Sequence, residues 1–237
     1  MSYQEVEQRE GAVSRTGLGD RAKFITKTYN HLLAAIFLFV LASVWLFQSG
    51  TSLKIVSFFA SMGTFGTIMM FAAFIGIGWF ATKFAHSAES KAVQYLNLVI
   101  FTVLYAVFFS PILFFAATKA PDMIQSAATV TLIGAAVLTA IVFYTRKDFS
   151  FLRGIVMWGF GLAVVAIVAG MVFGFQLGTW FSVAMIGISG AAILYDTSNV
   201  LHHYPEDKYV GAAIQLFASI AMMFLYVLRL FMSFGEE

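Results

Sequence analysis

In Gly190-Ala-Ala-Ile-Leu-Tyr195-Asp196-Thr-Ser-Asn199-Val-Leu-His202-His203-Tyr204, an almost uncharged apolar run meets a single carboxylate and then gives way to a short polar loop. A carboxylate inside or at the edge of an apolar span is costly, so Asp196 is a functional candidate by default. The apolar runs before and after it are too long and too continuous for the alternation of a membrane barrel. They read as helices that cross a bilayer.

Composition extends that reading to the whole chain. Of 237 residues 60% are hydrophobic and only 11% charged, with a mean hydropathy of +0.87. A water-soluble domain needs a polar exterior and cannot hide so much apolar surface. The fold class is therefore all-α, a polytopic membrane protein. Seven segments approach the roughly 20 apolar residues that a hydrocarbon core demands, at about 29–48, 55–81, 94–117, 123–144, 151–174, 178–200 and 211–233. Residues 29–237 form this transmembrane domain, and the polar, mixed-charge residues 1–28 read as a flexible cytoplasmic N-terminal tail, without the apolar core of a signal peptide.

Basic residues set the orientation. Arg9, Arg15, Arg21, Lys23, Lys27, Lys83, Lys91, Arg146, Lys147, Arg153 and Lys208 fall on one side of the alternating spans, and Lys54 and Lys119 on the other. Positive charge near spans stays cytoplasmic, which predicts a cytoplasmic N-terminus and a periplasmic C-terminus. Trp45, Trp79, Trp158 and Trp180 fall near segment ends, where an interfacial belt would hold them. Gly and Ser residues dot the spans and suit close helix packing.

Several functions are excluded at this level. There is no cysteine for a disulfide, a thiolate metal site or a nucleophile. A net charge of +2, with its basic residues scattered, offers no nucleic-acid-binding face. Gly187-Ile-Ser189-Gly190 matches the string around a rhomboid protease serine. His31, His86, His202 and His203 all fall at segment ends or in loops, however, so the serine has no base at its depth. His202, His203, Glu206 and Asp207 do not by themselves specify a metal site. The last two spans contain no lysine for a Schiff base. No enzyme activity and no cofactor are expected.

The polar residues left are few and patterned. Ser182, Ser189, Asp196 and His203 recur every seven residues, on one slowly drifting helix face. Gln215, Ser219, Tyr226 and Ser233 share a narrow arc of the last helix, with Arg229 about 40° to one side. Two such faces on consecutive helices should turn toward each other and away from lipid, lining a central cleft that water could fill. The pore or pH-sensing candidates are Asp196, Asn199, Gln215, Ser219, Tyr226 and Arg229.

Gly190 to Asn199, Tyr209-Val-Gly-Ala-Ala-Ile-Gln-Leu-Phe217 and Leu225-Tyr-Val-Leu-Arg229-Leu resemble the Bax inhibitor-1 family over nearly the whole chain. Thr145-Arg-Lys-Asp-Phe-Ser-Phe-Leu152 is similar to the bacterial branch that modulates the FtsH membrane protease. The resemblance implies a seven-helix bundle with its last helix near the centre, in a bacterial inner membrane, with lipid and the FtsH complex as partners. In some members it also implies a pH-sensitive calcium leak that uses an aspartate on each of the last two helices, with calcium ions in transit. Asp196 matches the first aspartate. The second position falls in Leu216-Phe-Ala-Ser219-Ile220, where this chain has serine, with Met222 in place of an asparagine. The arginine such members carry in the second span is also missing, since residues 55–81 hold no charge.

Overall fold

The computed structural model of the chain describes residues 17–87 and 90–235, with backbone alone at Leu18 and over 77–87. Among them are eight α-helices: α1 Leu18–Gln48, α2 Thr51–Ser61, α3 Gly63–Ser87, α4 Lys91–Lys119, α5 Pro121–Thr145, α6 Leu152–Phe173, α7 Thr179–His202 and α8 Tyr209–Phe234. A single 3-10 turn, Glu206–Lys208, leads into α8.

Over the described residues six of these, α1 and α4 to α8, are long and apolar enough to cross a membrane; α3 has 25 residues, with side chains described only as far as Gly76. The predicted span at 55–81 is not one helix. Gly63, at φ +58, breaks it after Met62, and a Cβ at Gly66 would stand 2.5 Å from the Phe59 carbonyl oxygen. The chain re-enters on itself too closely there for any side chain. The 11 residues of α2 rise only about 16 Å, too short to cross a bilayer alone. At the other end, α1 begins at Leu18, so the latter part of segment 1–28 is helical, with Phe24 and Thr28 buried. His31 accordingly lies within α1 rather than at its end. Residues 1–16 of the predicted tail lie outside the described residues.

Chain reversals are set by residues that stop a helix cleanly. Gly50 (φ +72) turns α1 into α2, and Gly174 (φ +75) ends α6. Pro121 opens α5 at a position where its missing N–H costs nothing. Arg146, with φ +52, closes α5 in the left-handed region, a conformation that α5's link to the next helix must hold in place.

Burial is arranged for a lipid solvent. Phe37, Leu41, Ile133, Trp158, Val165 and many other large apolar side chains point outward. Inside are Thr102, Ser110, Thr131, Ser182, Ser189, Asp196, Thr197, Ser198 and Ser219. An apolar exterior around a hydroxyl-bearing interior is stable only where the surroundings are hydrocarbon. Trp45, Trp158 and Trp180 stand exposed, while the side chain of Trp79 is outside the described residues.

The last helix is the axis. In its most apolar window 72% of α8 is buried, against 11% of α6. It packs against α1, α3, α4, α5 and α7, while α6 lies outside, against α7. The hub is Phe217 of α8, whose ring meets Phe39 of α1 at 5.9 Å and Tyr105 and Phe101 of α4 at 5.5 and 6.3 Å.

Candidate functional site

Asp196 reaches the bundle interior on a helix whose preceding turns include the small residues Gly187, Ser189, Gly190, Ala191 and Ala192. A Cβ at Gly190 would already meet Leu138 of α5 at 3.4 Å and Met223 of α8 at 3.5 Å. One at Gly159 of α6 would run into Ile188 of α7 at 2.9 Å. Glycine thus lets α7 press against α5, α6 and α8. Ser189 beside it is fully buried, its hydroxyl without a hydrogen-bond partner among the described residues. Among the described residues no histidine is hydrogen-bonded to it, and its place at the close approach of the helices is that of a packing residue.

The two polar faces do turn toward each other. Ser219 Oγ of α8 donates to Asp196 Oδ2 at 2.5 Å. Further along, Tyr226 packs edge-on to Phe181, with ring centroids 5.8 Å apart, and Thr179 Oγ1 donates to Ser233 Oγ at 3.4 Å. These pairs step down an antiparallel interface. The expected cleft does not open along it: Asp196 is 2% exposed and Ser219 7%, and side chain meets side chain directly. Small residues such as Gly190 of α7 bring the helices too close to leave a channel there.

The remaining candidates scatter. Asn199 is half-buried and serves through its carbonyl, which takes the Tyr204 and His203 amides at the end of α7. Gln215 is also half-buried, one turn before Ser219. Arg229 follows Ser219 by ten residues, about 15 Å of helix rise, and donates to the Leu177 carbonyl at 2.7 Å. It does not pair with Asp196. Among the described residues no cation is in ion-pair contact with Asp196 and no second carboxylate joins it.

A loop contact that sequence reading missed lies beside this site. Phe149 N–H donates to Ser198 Oγ at 2.8 Å, and Ser198 Oγ donates to Asp148 Oδ1 at 3.3 Å. Asp148 also accepts from Ser150 N–H at 2.9 Å and stands 3.4 Å from His203 Nε2. The loop between α5 and α6 is thus clipped to α7 two residues past Asp196. Partial burial would raise the Asp148 pKa, but the Ser150 amide and the charge of His203 outweigh it and hold it below the ordinary aspartate value. A depressed pKa gives stability that is present above the unfolded value and lost as pH falls through the folded one, so the carboxylate's part in the clip is lost in acid. Phe24 of α1 stacks on Tyr204 at 6.4 Å, closing the same end. Burial, and secondarily the nearby Asp196, pushes the Tyr204 hydroxyl well above its usual range. The sequence held one local sign of the clip, an Asp two residues before a Ser, as in an Asx turn. Nothing in it pointed to Ser198.

Ser198→Ala is expected to leave the Phe149 amide unpaired at a cost of about 1 kcal/mol, a factor of about five in opening. Trypsin should then cleave after the exposed Arg146 or Lys147 about five times faster in detergent at pH 8. An unchanged rate would show that the clip contributes nothing to loop order.

A buried carboxyl–hydroxyl pair can bind two helices together. Among the described residues no group of three or more metal-ligating side chains gathers. Comparison with known proteins adds the lineage. A family model described as "Inhibitor of apoptosis-promoting Bax1" matches residues 21–236. The chain belongs to the Bax inhibitor-1 family. Within that family it is similar to the Escherichia coli protein named modulator of FtsH protease YccA, 36% identical over 93 residues, which is 39% of this chain and 42% of that one. A sequence from a second Escherichia coli strain, named inner membrane protein YccA, matches to the same extent. The plant protein LIFEGUARD 4 of Arabidopsis thaliana is 33% identical over 152 residues, 60% of this chain and 59% of its own. The chain thus spans about two fifths of the YccA proteins it matches. Asp196 and Ser219 therefore sit in a Bax inhibitor-1 bundle whose last helix is its axis.

Proposed function

We propose that this chain is a bacterial inner-membrane protein that binds and modulates a membrane protease of the FtsH type, and so influences the turnover of other membrane proteins. The observation that carries the reading is the similarity to a relative named for that role, inside a family match spanning nearly the whole chain. The distribution of basic residues supports a cytoplasmic N-terminus and a periplasmic C-terminus. In that orientation the clipped loop, Tyr204 and the start of α1 all face the cytoplasm, where a protease of this kind degrades its substrates. Residues 1–16 are the segment the protease engages, and the bundle resists extraction because α8 is packed on all sides by other helices. The role read here is not enzymatic, and the buried pair serves it as a hydrogen bond that joins α7 to α8.

Deleting residues 1–16 spares α1 and its buried Phe24. Co-purification with FtsH from detergent-solubilised bacterial membranes is expected to fall at least fivefold on that deletion. Equal recovery of FtsH with the full and shortened chains would remove the tail from the interaction. No recovery with either would remove the proposal.

The alternative is a pH-sensitive calcium leak through Asp196. It has one structural feature in its favour, the buried carboxylate, and one against it, the serine opposite. Two carboxylates can hold a divalent ion between them, whereas a carboxylate and a hydroxyl supply too few charged ligands.

A further inference from the structure

At the far end of the bundle from Asp196, a cavity of about 360 Å³ opens between α3, α4, α6 and α8. Its walls are apolar, with Phe71, Pro111, Ile167 and Met171 among them, except for Tyr226 and Arg229. Gly235, just past α8, lies against Met123 at the start of α5, so this end of α8 adjoins the link between α4 and α5. Arg229 is five residues from the end of α8, and Pro111 is eight from the end of α4. The guanidinium is therefore placed near the interface, with the apolar walls running deeper.

Arg229 is only partly answered by the protein. One of its five N–H donors goes to the Leu177 carbonyl, and the Phe181 ring lies 5.7 Å from its guanidinium carbon. No carboxylate pairs with it among the described residues. A cation beside a lipid-facing cavity is costly without a counter-charge, and a guanidinium fork matches a carboxylate with two parallel hydrogen bonds. The cavity lies at the small end of the range for ligand sites, with room for a stretch of one hydrocarbon chain and not for a two-chain lipid. Whatever enters laterally must come from the bilayer, because the flanking helix surfaces are apolar.

We propose that Arg229 and this cavity bind the carboxylate and the first part of the chain of a long-chain free fatty acid drawn from the membrane. The guanidinium takes the head, and the Phe71–Pro111–Met171 walls take the methylenes. The site is separate from the Asp196–Ser219 pair and from the loop clip.

The test uses the full chain in phosphatidylcholine nanodiscs, titrated with palmitate labelled with carbon-13 at its carboxyl. Signal from nanodiscs without protein is subtracted. A saturable bound resonance is expected, and methyl palmitate, which lacks the charge, should not displace it. Arg229→Gln should weaken binding at least tenfold. Ile167→Phe, which keeps the cation but fills the cavity, should do the same. Binding by Arg229→Gln within twofold of the unaltered chain would overturn the site. So would retained binding in Ile167→Phe, which would mean a surface charge effect alone. Displacement of palmitate by phosphatidylglycerol at equal concentration would overturn the choice of a single-chain carboxylate.

Discussion

Ser219→Asp is expected to make thermal stability in detergent depend on calcium, which that of the unaltered chain does not. The Ser219 hydroxyl lies 2.5 Å from Asp196, and both residues are cut off from water. A carboxylate there would face another within a few ångströms. Out of water, two such charges repel far more strongly than at a surface, and the pair needs a bridging cation. Without calcium the variant should melt below the unaltered chain. With calcium at about a hundredfold excess over its Kd, it should regain about 3 kcal/mol. A thermal shift assay across calcium concentrations decides it. Equal calcium stabilisation of the unaltered chain would favour the leak over protease modulation, because one carboxylate and a hydroxyl would then suffice to hold the ion.

Phe217→Ala should give the largest loss of stability among single truncations in the bundle. Its ring is 2% exposed and touches Phe39, Phe101 and Tyr105, joining α8 to α1 and α4. In lipid the removed atoms gain nothing from transfer out of water, so the cost comes from lost dispersion contacts and the cavity left behind. A Phe→Ala change in a packed core costs about 3–5 kcal/mol, or roughly a 6–20 °C drop in melting midpoint for a chain of this size. Phe37→Ala is the matched control. That ring is 65% exposed on the lipid side of α1 and should shift the midpoint by no more than about 2 °C. Similar shifts for the two variants would mean that the hub does not hold the bundle together.

The membrane class, the all-helical fold and most helix positions were legible because each depends on local composition. Twenty apolar residues in a row need no partner to announce a span. The polar arc of α8 was legible for the same reason: 3.6-residue periodicity fixes which side chains share a face, and a polar face avoids lipid. That reasoning found both Asp196 and Ser219 from opposite sides of one interface. It could not find their distance, and so it left room for a cleft where the structure has a direct hydrogen bond.

The break at Gly63 was hidden because residues 55–81 are apolar on either side of it, and hydropathy is blind to backbone dihedrals. The clip was hidden for a different reason. Phe24, Asp148, Ser198 and Tyr204 lie far apart in the chain, and each alone resembles an ordinary loop or helix-end residue. Arg229 could be placed on its helix from the sequence, but its lone position beside an apolar cavity depends on where α3, α4 and α6 end up. The sequence by itself determined the solvent, the helices and which faces turn inward, since these follow from short-range periodicity and the cost of polar groups in hydrocarbon. Only the tertiary structure decided which inward groups meet, because that depends on how closely glycine and serine let helices distant in sequence approach.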